Sequence, residues 1–282
     1  MSRESIASSK VKKFVGKCIY CGSTENLHDE HCIPESLQGF HVLEKGSCAD
    51  CGKITTKFEC AYARDSILAA RTALGMRSKR SKSKRPTAFP MTFQKGEVVQ
   101  EFNVPVAEHF SLITLIDIGP PGAAQAGPNV LGLRNKEYRF RFVHVHPTEH
   151  VEYLMQKYDA DSVSVDFQLD INGFLRLIAK IAYCQAVYQL GIQNIRNVCV
   201  IPAILGESND IWQWVGSDGT QELYETKKHM KTDHLTMVQF GDDGIISVRV
   251  KLFKNATSPE YVVIVGQLTD IAIGVYRSAG RI

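Results

Sequence analysis

The sequence predicts an α+β protein, and three features predict it: two C-x-x-C pairs near the N-terminus, a series of short β-branched or alternating runs beyond residue 98, and one long apolar helical stretch at about 171–190 that interrupts those runs. The expected molecule is a small zinc-stapled module followed by a larger mixed α+β unit with a sheet and one long helix. Hydrophobic residues make up 44% of the 282, enough for a packed core, and charged residues 22%, close to the globular average, which excludes bulk disorder.

The cysteines come first in the argument because they organise the N-terminal quarter. Cys18 and Cys21 form one C-x-x-C and Cys48 and Cys51 a second, and four thiolates at this spacing suit a closed tetrahedral Zn2+ site. Such a site holds together a module too small to bury much core. No secretory signal or run of about 18 apolar residues is visible, so the chain is expected in the cytoplasm, without a membrane span and without a disulfide framework. Cys32 and Cys60 are read as small apolar residues rather than ligands.

Between the pairs lies HDEHCIPESL, residues 28–37. A hydrolytic site needs an oxygen or imidazole ligand for a hard cation and a base that activates water. Glu30 can be the ligand and His31 the base. After the second pair, apolar residues from Ile54 to Leu74 recur at helical spacing, with Gly75 as the stop. Six of the nine residues from Arg77 to Arg85 are Lys or Arg (Arg77, Lys79, Arg80, Lys82, Lys84, Arg85), and Pro86 closes the run. Residues 1–97 hold 17 Lys and Arg against 10 Asp and Glu, whereas the remainder is net acidic, which points to a polyanion partner for the front of the chain.

The first C-x-x-C, the EH-x-I-P box, Gly39 and the second C-x-x-C opening a helix together resemble the HNH endonucleases, the ββα-metal nucleases, in the subgroup with a C-x-x-C/C-x-x-C structural zinc. The resemblance spans about residues 16–75. It implies that His31 is the general base and Glu30 a ligand of a catalytic Mg2+ or Mn2+. The family often places a second ligand directly after the last cysteine, where this chain has Gly52. Glu59, two turns on along the same helix, is the substitute the pattern suggests, and His41 is the candidate for the residue that orients the base. The implied function is metal-dependent hydrolysis of phosphodiester bonds in DNA, with RNA as an alternative substrate, and phage defence as a natural setting. The basic run would bind phosphates without reading bases. The competing expectation is a non-catalytic zinc-containing nucleic-acid-binding protein, or a zinc module that docks another protein.

The expected organisation is a nuclease-like module over 1–76 including a loose N-terminal arm over 1–15, a basic linker over 77–97, and an α+β unit over 98–282 that serves target recognition, regulation or contact with a protein partner. In that last unit VVQEFNV, FSLITLIDI, YRFRFVHV, SVSVDF, NVCVIPAIL, GIISVRVKLF and EYVVIVGQL read as strands. His144, His146 and His150 could mark a second metal site but read better as polar-face residues of a strand. His229, Asp233 and His234 form another polar group, and Trp212 and Trp214 are assigned to packing.

Overall fold

The computed structural model describes residues 10–78, 80–124, 138–147, 149–218, 233–254 and 258–279. The chain enters through strand β1 (Val11–Phe14), passes the first cysteine pair and forms an antiparallel hairpin, β2 (Leu27–His31) with β3 (His41–Cys48). β1 pairs parallel with β3. The loose arm expected over 1–15 is therefore corrected for residues 11–14. Val11 and Phe14 remain exposed, so this edge strand is held by backbone pairing and by two lysines. Lys12 Nζ reaches Asp29 at 2.8 Å, and Lys13 Nζ donates to the Tyr188 carbonyl at 2.8 Å.

Cys48 caps helix α1 (Ala49–Ala61), which continues through a π-helical turn, Tyr62–Ser66, into α2 (Leu68–Ala73). Gly75, at φ +64°, ends this helical stretch in the left-handed region that favours glycine, at the predicted stop. The basic linker expected over 77–97 stops short. From Ala88 the chain folds as β4 (Ala88–Lys95), paired with β5 (Val98–Pro105) on one side. Its alternation places Met91 and Phe93 inward, where they form a small core with Val104 and Leu154. This alternation, rather than charge, governs the segment after Pro86.

β6 (Leu112–Asp117) and β7 (Arg139–His144) make an antiparallel pair. Helix α3 (Glu149–Lys157) follows, and β8 (Ser162–Ser164) completes the sheet of β5, β4 and β8. Helix α4 (Ile171–Leu190) matches the predicted long helix. Asp170 caps it, its Oδ1 accepting from the Gly173 N–H at 3.0 Å. The last sheet runs β10 (Val215–Asp218), β13 (Glu260–Leu268), β12 (Ile245–Lys251), β11 (Leu235–Phe240), and β9 (Ile195–Arg196) pairs with the end of β13. Helix α7 (Asp270–Ser278) follows. NVCVIPAIL, read as a strand, is instead a bend leading into helix α5 (Ile201–Leu205): Pro202 sits in its first turn, where a missing N–H costs nothing, and Gly206 closes it at φ +80°. Trp212 is buried on the short helix α6 (Ile211–Trp214), in the packing role assigned to it.

Of α4's 20 residues 15 are buried, and a helix apolar on nearly every side needs cover on every side. It receives the C-terminal sheet on one side and the hairpin and α1 on the other. The Phe174 ring lies 4.9 Å from Tyr62 of the module and 5.6 Å from Tyr261 of β13. Tyr183 Oη donates to the Ile19 carbonyl at 2.6 Å. His234 adds a further tie, bonding the Leu37 carbonyl through Nε2 at 2.6 Å while its Nδ1 accepts from the Phe253 N–H at 3.0 Å. Burial holds that imidazole neutral, at a pKa of about 4. The cysteine segment and the C-terminal sheet thus belong to one apolar cluster. Phe174→Ala is expected to cost about 3–5 kcal/mol. Urea unfolding followed by tyrosine and tryptophan fluorescence should show one shared transition, displaced as a whole; two separated transitions would contradict the shared core.

Candidate functional site

The first cysteine pair sits on a tight turn in which the Gly22 N–H donates to the Cys18 carbonyl at 2.9 Å and the Cys18 N–H donates to the Ser23 carbonyl at 2.7 Å. The second pair straddles the start of α1. The four Sγ atoms all lie within 4.8 Å of one another, with Cys21 and Cys48 3.7 Å apart. A tetrahedron with metal–sulfur bonds of about 2.3 Å has edges of about 3.8 Å, so the donor set fits an ion such as Zn2+ with no position left for substrate. Burial works against the Cys48 thiolate, but the Cys51 backbone N–H and the neighbouring thiols outweigh it and bring the group to about 7. Cys32 is buried outside this group, and Cys60 is half-buried on α1.

The EH-x-I-P box closes the far end of the hairpin. After Pro34 a single 3-10 turn, Glu35–Leu37, leads to Gln38 and Gly39. A Cβ on Gly39 would lie 1.9 Å from the Ile33 carbonyl oxygen, so only glycine lets the chain fold back here. The register of β2 on β3 shifts between His28 and Glu30. Glu30 then points inward and is buried. His31 is half-buried on the other side. Its Nδ1 is buried without a hydrogen-bond partner. Burial and then the Lys10 charge lower its pKa. A neutral imidazole is what a general base requires.

Glu30 on β2 and Glu59 on α1 do converge, as the sequence suggests. What they converge on is Lys180. Its Nζ lies 2.6 Å from Glu30 Oε1 and 2.8 Å from Glu59 Oε1, and also donates to the His31 carbonyl oxygen. The lysine side chain is 0% exposed. Burial works against its charge, but Glu30 and Glu59 outweigh it and hold the ammonium well above the ordinary lysine value. Burial likewise raises Glu59, against the pull of Lys180. A hard divalent cation such as Mg2+ keeps oxygen ligands at about 2.0–2.1 Å, several of them waters. The space between Glu30 and Glu59, filled by an ammonium that is itself fully enclosed, does not fit one. Gly52, where the resemblance implies the other ligand, brings no donor. A Cβ there would meet only Ser47 Oγ, at 3.6 Å, so nothing in the packing demands the glycine.

His41 stands apart from the role considered for it. Its Nδ1 is 3.2 Å from Gln185 Oε1, and its ring stacks on Tyr188 at 4.2 Å and meets Phe40 edge-on at 4.3 Å. These partners belong largely to α4, not to His31. On the other flank of the hairpin, an open groove of 820 Å3 runs between His28 of β2 and Gly52, Lys53, Thr56, Lys57, Cys60 and Arg64 along the helix. Of the basic run, Arg80 and Lys84 are exposed and Arg77 and Arg85 half-buried, whereas Lys79 and the Lys82 side chain lie outside the described residues. In the C-terminal part, the His146 and His150 rings stack at 4.5 Å, His150 Nε2 bonds the Glu108 carbonyl at 2.6 Å, and His144 packs beside Phe110. Among the described residues the four cysteines alone form a metal-binding group. His229 lies outside the described residues, and the Asp233 carbonyl accepts from the Lys254 N–H.

Comparison with protein-family models, with curated proteins and with solved structures finds no match for this chain. Sequence reasoning passes over Lys180. The available signal is a lone lysine amid uninterrupted apolar residues of a helix, together with two carboxylates elsewhere that need a counter-charge. For the cysteine site, elemental analysis of the purified chain should give one zinc per molecule, and Cys48→Ser should lose that zinc and fail to fold as the wild type does. A zinc-free wild-type protein that melts as a folded chain would refute the assignment.

Proposed function

We propose that this chain binds nucleic acid through an HNH-like ββα module whose structure is held by Zn2+ on Cys18, Cys21, Cys48 and Cys51. The observation that carries this reading is the groove beside the second cysteine pair. Lys53, Lys57 and Arg64 line it at intervals of four and seven residues along the helix, the spacing that puts side chains on one face. Asp29, the acidic residue in the groove, is already engaged by Lys12 and by the Lys45 N–H, and Lys53 pairs with Asp50 at 3.1 Å, so the groove's net positive charge rests on Lys57 and Arg64. Lysines and an arginine on an open surface suit phosphates, which position a nucleic acid without specifying its bases. The basic run from Arg77 to Arg85 follows the same helical stretch and would extend this interface.

A second reading, metal-dependent hydrolysis of DNA with His31 as the general base, is favoured by one specific observation: Glu30 and Glu59 do meet around a single positive charge beside the His31 backbone. In this reading His31 takes the proton of the attacking water, and loss of its imidazole should lower cleavage by about two to four orders of magnitude. The binding reading ranks first because the cation between those carboxylates is a lysine.

Two measurements separate and test the readings. Replacing Lys53, Lys57 and Arg64 with Gln should weaken binding to all duplex sequences alike, and should flatten the dependence of log K on log salt by about 0.9 for each phosphate no longer neutralised. An unchanged slope would remove the groove as the interface. In a plasmid-nicking assay the wild type should leave DNA intact in Mg2+, Mn2+ and EDTA alike. Cleavage that requires Mg2+ or Mn2+ and disappears in His31→Ala would establish the hydrolytic reading instead.

A further inference from the structure

We infer that Glu30, Glu59 and the His31 carbonyl form a buried cation site whose resident cation is the Lys180 ammonium, so that the chain supplies from α4 a positive charge that would otherwise have to come from a divalent metal ion. The inference rests on the proposed reading only in taking β2, β3 and α1 as an HNH-like module; the donor geometry stands by itself.

An ammonium carries three N–H donors and no acceptor. Lys180 meets three oxygens: Glu30 Oε1 at 2.6 Å, Glu59 Oε1 at 2.8 Å and the His31 carbonyl. The His31 carbonyl accepts a hydrogen bond, and the two carboxylate oxygens stand at ion-pair distance, Glu59 Oε1 having no hydrogen-bond partner of its own. The three oxygens come from three places on the module: the inward side of β2, the last full turn of α1, and the backbone where the hairpin leaves β2. All are hard oxygen donors, the type that Mg2+ and Mn2+ prefer and Zn2+ thiolate sites do not offer. The set is therefore a cation site by chemistry, and its occupant is tethered. A tethered cation does not dissociate and has no concentration dependence, and at 0% exposure it is not exchanged for a hydrated ion from solvent. Two carboxylates facing one ammonium leave a surplus negative charge. Removal of the ammonium would leave two close carboxylates without a counter-charge, which a divalent ion satisfies in competition with a proton shared between them.

The consequence for function is direct. The wild-type chain holds the site closed to Mg2+ and Mn2+. Lys180 acts as a positioning residue: it fixes Glu30, Glu59 and the His31 backbone in place, and has no surface from which to touch a phosphate.

The test uses the zinc-loaded 282-residue chain, with Mn2+ as the probe, followed by electron paramagnetic resonance and by thermal melting. The wild type should take up no Mn2+ at this site and its melting temperature should not change with Mn2+. Lys180→Ala should bind one Mn2+ per chain at least tenfold more tightly than the wild type and should melt higher when Mn2+ is present. Adding Glu30→Gln and Glu59→Gln to Lys180→Ala should abolish both effects. A folded Lys180→Ala that ignores Mn2+ would overturn the inference. Should that variant fail to fold even with Mn2+, the wild type decides: one Mn2+ bound per wild-type chain and lost in Glu30→Gln overturns the inference, and wild-type indifference to Mn2+ upholds it. DNA binding, measured separately in salt titrations, can fail without affecting any of these outcomes.

Discussion

A charge buried at the centre of the molecule sets the terms for much of what surrounds it. Lys180 is fully enclosed, and an enclosed ammonium is tolerated only when every donor finds an oxygen and opposite charge lies close by. Glu30 and Glu59 provide the charge, and the His31 carbonyl the third acceptor. Breaking such a cluster by removing one partner costs about 3–5 kcal/mol, because the remaining charges stay buried. Isolated burial of Glu30 or Glu59 would be equally unfavourable. The hairpin, α1 and α4 therefore have one mutual arrangement that brings both carboxylates onto the ammonium, and a rotation or a one-turn slide of α4 would lose it.

The rest of α4 is built to the same register. Arg176, Lys180, Cys184 and Tyr188 recur every fourth residue, and each engages the module or its cover. Arg176 lies over the Phe58 ring at 5.1 Å, the Cys184 carbonyl meets Cys32 Sγ at 3.5 Å, and Tyr188 stacks on His41. One stripe of the helix is thus polar-tipped and faces the cysteine module, while Phe174, Leu177, Ile178 and Ile181 belong to the shared apolar cluster. The four cysteines, which could hold a metal ion, bring the turn at Cys18 to the start of α1, and α4 ties that turn and the hairpin to the sheet. A hairpin and helix of this size bury too little apolar surface to stand by themselves; here they share the core of α4 and the sheet.

The cysteine cluster, the α+β class and the bounds of α4 are legible in the sequence because each rests on local pattern: fixed Cys spacing, alternation, and an apolar stretch between Asp170 and Gly191. The convergence of Glu30 with Glu59 is legible through the resemblance. The partner of both is not, because Lys180 is 150 residues from Glu30 in sequence and its pairing is a tertiary event with no local signature. Short apolar stretches mislead for a related reason. NVCVIPAIL has the β-branched composition of a strand, but Pro202 and Gly206 punctuate a helix of one turn. β1 escapes notice from the opposite direction, since a basic VKKF edge owes its structure to the neighbouring β3 backbone rather than to its own side chains.

The two polar features of the module lie on different sides of it and answer different demands. The groove along α1 keeps Lys53, Lys57 and Arg64 in water, where charge is inexpensive to maintain and can meet a polyanion at long range. The Glu30–Lys180–Glu59 cluster keeps its ammonium and Glu30 out of water and Glu59 largely so, where opposite charges attract strongly. Hydrolysis would require these two demands to meet at one solvent-accessible cation within reach of His31. In this chain the buried cation belongs to the core, His31 presents a half-buried ring whose Nδ1 has no partner, and the accessible positive charge belongs to the helix surface. On the proposed binding reading, such a module would hold a phosphate backbone by its surface while its internal charge fixes α4, which would separate recognition from the step that would cut.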